Sequence, residues 1–163
     1  MTVAEKNAII IGATSGIGKA LAELLIGNGY RVGITGRRSE LLDEFAQKHG
    51  GNAVCLLMDV DAPEKARDGL TGLIEKFGSV ELIILSAGTG FPNTELAWEP
   101  EAATIATNVT GFAALATAAM NYFLQRGSGH LVGISSIAAL RGNSDAPAYN
   151  ASKAFVSNYL EGL

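Results

Sequence analysis

Gly12-Ala13-Thr14-Ser15-Gly16-Ile17-Gly18 stands between an apolar run, Ala8-Ile9-Ile10-Ile11, and an amphipathic run that begins at Ile17. Strand, glycine-rich turn and helix, in that order, present backbone N–H groups and a helix N-terminus to a phosphate. The spacing gives each glycine a separate task. Gly12 permits the tight turn out of the strand, Gly16 lets backbone approach a pyrophosphate, and Gly18 lets the helix pack on the strand. The helix end adds roughly half a positive charge. Thr14 and Ser15 offer hydroxyls for local hydrogen bonds and for phosphate contact. A glycine triplet alone is weak evidence, because tight strand-to-helix turns favour glycine anyway, so the rest of the chain has to decide.

Outward from this loop the pattern alternates strand and helix. Ala20, Leu21 and Leu24 follow Ile17 at helical steps, and Asn28-Gly29 stops the helix. Residues 31–35 read as a second strand. Ser39 then caps a short helix that turns Leu42, Phe45 and Ala46 inward and closes at Gly50-Gly51. Residues 52–58 read as a third strand ending at Asp59. Asp61 and Glu64 have capping-box spacing with Pro63 in the first turn, and their helix faces Ala66, Leu70, Leu73, Ile74 and Phe77 inward. Residues 80–85 are a fully apolar fourth strand. A long helical region over 99–126, inward at Phe112, Leu115, Ala116, Ala119, Met120 and Phe123, leads to a fifth strand over 130–135. Asp145 and Pro147 announce the last helix.

Five apolar strands separated by helices imply a parallel sheet covered on both faces, with order 3-2-1-4-5. This is a Rossmann-type doubly wound α/β fold, read as one domain over residues 1–163. Its ligands belong at the carboxyl ends of the strands, where Gly12, Arg37, Asp59, Gly88 and Ser136 fall. A net charge of −4 and a pI near 5.1 disfavour nucleic acid as the partner. No apolar run is read as reaching bilayer length, and no leader segment precedes the first strand. The single cysteine, Cys55, reads as a small core hydrophobe, and a reducing, cytoplasmic setting fits. His49 and His130 have no metal-ligand spacing and read as structural, so no metal is expected.

Two constellations carry chemistry. Dinucleotide folds place an acid near the end of the second strand to hold the ribose 2′-hydroxyl. Here Gly36 stands at that point, followed by Arg37 and Arg38. A guanidinium fork matches a phosphate, so a 2′-phosphate is expected and NADP(H) is favoured, with NAD(H) possible. The plainer alternative is two solvated arginines ahead of a helix. The second constellation is Tyr149-Asn150-Ala151-Ser152-Lys153, with Tyr149 and Lys153 one helical turn apart. A tyrosine holds its proton to a pKa near 10. An ammonium about 4 Å away at an effective dielectric of 20 supplies on the order of 4 kcal/mol, enough to bring it to about 7. Tyr122 and Arg126 share the spacing and read as an ordinary exposed pair. Tyr149 differs because Ser136 lies 13 residues earlier, at a strand end beside the nucleotide loop.

Taken together, Gly12-x-x-x-Gly16-x-Gly18, Asp59, Ala87-Gly88, Asn108, Ser136 and Tyr149-x-x-x-Lys153 resemble the short-chain dehydrogenase/reductase family, in its single-domain oxidoreductase branch. The resemblance implies hydride transfer between nicotinamide and a carbonyl or secondary alcohol. It makes Tyr149 the general acid or base, Ser136 a ligand of the substrate oxygen, and Lys153 a partner of both tyrosine and nicotinamide ribose. Asn108, at a helix break, would hold a water relaying protons to Lys153. Asp59 with Val60 would contact the adenine end, Ser86, Ala87 and Gly88 would lie along the cofactor, and Ile17 would join the glycine-loop contacts. Without the resemblance, a helix-kink polar group and a strand-end cap explain Asn108 and Asp59 about as well. The resemblance also implies a homodimer or homotetramer.

Two departures qualify it. Leu85-Ser86-Ala87-Gly88 replaces the Asn-Asn-Ala-Gly of many relatives, and the sequence ends before the family's last strands. Truncation is therefore expected, with an unpaired edge at the fifth strand. A non-catalytic NADP(H)-binding or regulatory protein is the main alternative. An extended-branch epimerase or dehydratase is disfavoured by the glycine spacing.

Overall fold

The computed structural model describes residues 6–163. Five parallel strands, β1 (Lys6–Ile11), β2 (Tyr30–Gly36), β3 (Ala53–Leu57), β4 (Leu82–Leu85) and β5 (His130–Gly133), form one sheet in the order β3-β2-β1-β4-β5. The order and the doubly wound architecture are those expected from the sequence. Register brings Ile11, Thr35, Leu85 and Gly133 level, with Gly36 opposite Leu57. All five strands therefore release their chain along one rim.

Period-two alternation divides the core between two faces. Ile9, Ile11, Ile83 and Leu85 point to the side covered by α3 (Pro63–Phe77), α5 (Phe112–Arg126) and α6 (Pro147–Gly162). Ala8, Ile10, Val32, Ile34 and Ile84 point to the side of α1 (Gly16–Gly27) and α2 (Ser39–His49). Between α4 (Trp98–Ile105) and α5 the backbone continues through a π-helical segment, Ala106–Gly111. The helix over Trp98–Arg126 is long and apolar enough, by length and composition, to cross a membrane, which the sequence reading did not register. Its face at Phe112, Leu115, Ala116, Ala119 and Phe123 is buried in the sheet-side core.

Several local expectations are corrected. α1 buries Gly18 and Ala22 and half-buries Leu21, Leu25 and Ile26, while Ala20 and Leu24 face outward. The glycine at 18 sits closest to the loop and thereby sets the rotation of the whole helix. Ser39 makes no cap; its hydroxyl points to Glu40. Asp61 and Glu64 form no capping box, because Asp61 is drawn away by Thr107, whose hydroxyl donates to it at 2.6 Å. Tyr122 and Arg126 are not a free surface pair either. The Tyr122 hydroxyl accepts the Val80 N–H, and Arg126 pairs with Glu81 at 3.1 Å.

Candidate functional site

Along the rim of strand ends runs a cleft of about 860 Å³, from Gly12, Thr14, Ser15, Gly16 and Ile17 past Gly36, Arg37, Arg38 and Val60 to Ser86, Ala87, Gly88, Tyr149 and Lys153. The three glycines of the loop differ in what surrounds them. Gly12 leaves β1 at φ +83°, and a Cβ there would stand 2.5 Å from Ala87 Cα, so the β1 and β4 turns touch backbone to backbone. Gly16, at φ +59°, would carry its Cβ into space with no atom within 4 Å. Gly18 packs directly under the Gly12 carbonyl.

Arg38 reaches back over this loop. Its guanidinium donates to the Thr14 hydroxyl at 2.7 Å and to the Ser15 hydroxyl at 2.6 Å. Arg37 lies 3.9 Å from Asp59 and 3.5 Å from Asp61. Asp59 itself is not on the cleft wall; it accepts the Asp61 N–H at 3.1 Å and belongs to the outer side of β3. Both arginines are exposed, and no acid directly follows β2 in the chain; the Arg37 guanidinium faces Asp59 and Asp61, which follow β3.

At the other end of the cleft, α6 carries Tyr149 and Lys153 on one face. The Lys153 ammonium stands 5.8 Å from the centre of the Tyr149 ring and donates to the Ile134 carbonyl at 2.9 Å. Only 7% of Lys153 is exposed, and burial lowers its pKa from the ordinary lysine value. Its other two protons meet no acceptor among the described residues. Gly88 lies beside it, where a side chain would come within 3.2 Å of the ammonium and 3.4 Å of Asn108 Oδ1.

Asn108 sits within the π-helical segment, fully buried. Its side chain is occupied: Oδ1 accepts the Thr89 N–H at 2.8 Å, and Nδ2 donates to the Thr89 carbonyl at 2.6 Å and to the Ser152 hydroxyl at 2.9 Å. It thus clamps the turn after β4 against α6. The π-bulge that aims it inward also packs Gly111 on the Val60 carbonyl. Ser136 follows the wall residue Ser135. Its hydroxyl accepts the Ala138 N–H at 3.1 Å, capping the turn Ile137–Leu140, and its own proton meets no acceptor among the described residues; Ser135 lines the cleft and Ser136 does not. Asn150 holds that turn to α6 by donating to the Ala138 and Arg141 carbonyls.

A sequence model described as short chain dehydrogenase matches residues 6–163, nearly the whole chain. The chain belongs to the short-chain dehydrogenase family. An uncharacterized oxidoreductase of Myxococcus xanthus is 37% identical over 97% of this chain and 64% of its own length. Among solved structures, ElxO with NADP bound superposes with a TM-score of 0.87 at 27% identity, covering 95% of this chain and 65% of ElxO. An actinorhodin polyketide ketoreductase with NADPH gives 0.85 at 30% identity over 95% of this chain and 62% of its own. The chain thus spans just under two thirds of the length of these relatives.

Family membership did not reveal the residues that hold the constellation in place. Thr107, Asn93 and Glu101 have no motif spacing that would single them out, and Asn150 and Ser152 lie inside the Tyr149-to-Lys153 stretch with no role of their own assigned there. Only the side-chain identity of Thr107, next to Asn108, hints that the helix break carries polar work.

Proposed function

We propose that this chain is the cofactor-binding and catalytic part of an NADP(H)-dependent oxidoreductase acting on a carbonyl or secondary alcohol. One observation carries the reading: a buried ammonium with two unused protons stands one turn from a tyrosine at the wall of a cleft that begins at an open glycine loop. The residues fit a dinucleotide. The space beside Gly16 admits a pyrophosphate to backbone N–H groups at the start of α1. The spare Lys153 protons suit ribose hydroxyls. The guanidinium groups at 37 and 38 suit a 2′-phosphate, and the relatives solved with NADP and NADPH support that choice.

When bound, the nicotinamide supplies or accepts the hydride. Tyr149 gives a proton to the carbonyl oxygen in reduction and takes one from the alcohol in oxidation. The free Ser136 proton donates to the same oxygen as charge develops on it. Lys153 holds its ammonium 5.8 Å from the centre of the phenol ring, and Asn108 fixes the turn that borders the ammonium. Thr89, Gly90 and Phe91 line this end of the cleft. We extend the proposal to a cytoplasmic homodimer or homotetramer, supported by the half-exposed alanines 113, 114 and 118 on α5.

The test is NADPH oxidation against a panel of aldehydes and ketones with Tyr149→Phe as control. Turnover that Tyr149→Phe lowers by about 10²–10⁴-fold, with NADPH binding retained, is the expected result. Binding without turnover on any carbonyl would instead make this a coenzyme-binding protein.

A further inference from the structure

The helix that carries Tyr149 begins without a cap of its own. Ala146 occupies the N-cap of α6 and has no side chain to accept from the first turn, so the Ala148 N–H must find an acceptor elsewhere. It donates to Glu101 Oε2 at 2.9 Å, from a residue 47 positions earlier on α4. The other carboxylate oxygen, Oε1, accepts from Asn93 Nδ2 at 2.7 Å.

Asn93 is only 5% exposed and fully engaged. Nδ2 also donates to the Ala97 carbonyl at 2.8 Å, and Oδ1 accepts the Ala97 N–H at 2.9 Å. Its backbone N–H donates to the Asp145 carbonyl at 2.7 Å, on the turn that leads into α6. A single carboxylate and a single amide therefore join three segments: the loop after β4, the start of α4, and the entry to α6.

Both ends of this junction bear on the phenol. Ala148 immediately precedes Tyr149. Gly90, three residues before Asn93, lies against the Tyr149 ring so closely that a side chain at 90 would stand 2.9 Å from the ring Cγ. Whatever shifts the start of α6 relative to the loop must open or crush this contact. A negative charge at a helix N-terminus is also favourable in itself.

We propose that Glu101, acting through Asn93 and Ala148, is a positioning residue for Tyr149: it locks the first turn of α6 and the loop over the phenol ring into one unit. Its consequence for turnover rests on the oxidoreductase reading. The mechanical coupling does not. Glutamine at 101 can satisfy only one of the two donors and turns an N–H₂ toward the other, whereas aspartate keeps both acceptors on a shorter stem.

Amide hydrogen exchange followed by NMR, on the wild type and on Glu101→Gln, Asn93→Ala and Glu101→Asp, tests the coupling. Glu101→Gln and Asn93→Ala each accelerate exchange about tenfold at the amides of residues 93 and 148 together, as expected for loss of one charge-assisted hydrogen bond. Amides of Val32 and Ile83 in the sheet keep their wild-type rates, and Glu101→Asp recovers most of the protection. In turnover assays kcat falls about tenfold in both disrupting variants with KM for NADPH within twofold. Acceleration at 148 alone in Glu101→Gln, or at 93 alone in Asn93→Ala, reduces Glu101 to an ordinary cap and overturns the proposal, as does unchanged exchange at both. A wild type with no turnover on any carbonyl refutes the oxidoreductase reading and leaves the exchange result to decide the coupling.

Discussion

Alanine at Gly12 and alanine at Gly16 add the same methyl to the same loop and should differ in what they damage, the first stability and the second coenzyme binding. Both glycines have left-handed backbones, φ +83° and +59°, so each alanine carries a conformational cost of about 1–2 kcal/mol. They differ in what the new methyl meets. At position 12 it stands 2.5 Å from Ala87 Cα and 2.6 Å from Ala87 N. These are backbone atoms that cannot yield without parting β1 from β4, and overpacking of this kind adds about 1–3 kcal/mol. At roughly 2–4 °C per kcal/mol for a chain of this size, Gly12→Ala lowers Tm by about 10 °C. At position 16 the methyl meets nothing, so Gly16→Ala lowers Tm by only about 2–8 °C. That methyl occupies the space through which a pyrophosphate would reach the backbone. Losing one charge-assisted hydrogen bond costs about 1.5–3 kcal/mol, which is roughly 10–150-fold in Kd. Thermal unfolding by circular dichroism and titration with NADPH give the two axes. Gly16→Ala that stays folded and binds NADPH as tightly as wild type would refute the placement of the phosphates.

Arg37→Ala and Arg38→Ala are each expected to weaken NADPH by about tenfold and leave NADH unchanged, the modest size reflecting exposed guanidinium groups. Calorimetric titration with both coenzymes checks it, and equal weakening of the two removes the 2′-phosphate from these residues. Lys153 gives a pH signature. Its pKa is lowered by burial, so between the lowered value and the ordinary value near 10.4 the unfolded chain binds more protons than the folded one, and stability rises with pH across that window. Lys153→Met, compared with wild type by urea denaturation at a series of pH values, should be the more stable protein below the window, with the advantage fading as pH climbs through it. A constant difference across the series would contradict the burial of the charge.

The sheet was legible in the sequence because its signals are local: apolar runs of strand length, helical periodicity and glycine stops fall within a few residues of one another. The two ends of the cleft were legible for the same reason. Gly12 to Gly18 and Tyr149 to Lys153 are each contained in one turn or one helix, and the parallel topology alone brings them to a common rim. What escaped is everything decided by contact across the fold. The rotation of α1 depends on Gly18 meeting the Gly12 carbonyl, so a face read from periodicity alone lay too far toward Ala20 and Leu24. Asp61 looked like a cap until Thr107, 46 residues away, claimed it. Glu101 carries no local signal in the sequence, because the helix whose first turn it closes is a different one. On the proposed reading the motif residues supply the chemistry, while the start of the helix that carries the phenol is held by side chains from α4 and the loop after β4. Substitutions there should tune the site without touching a single motif position.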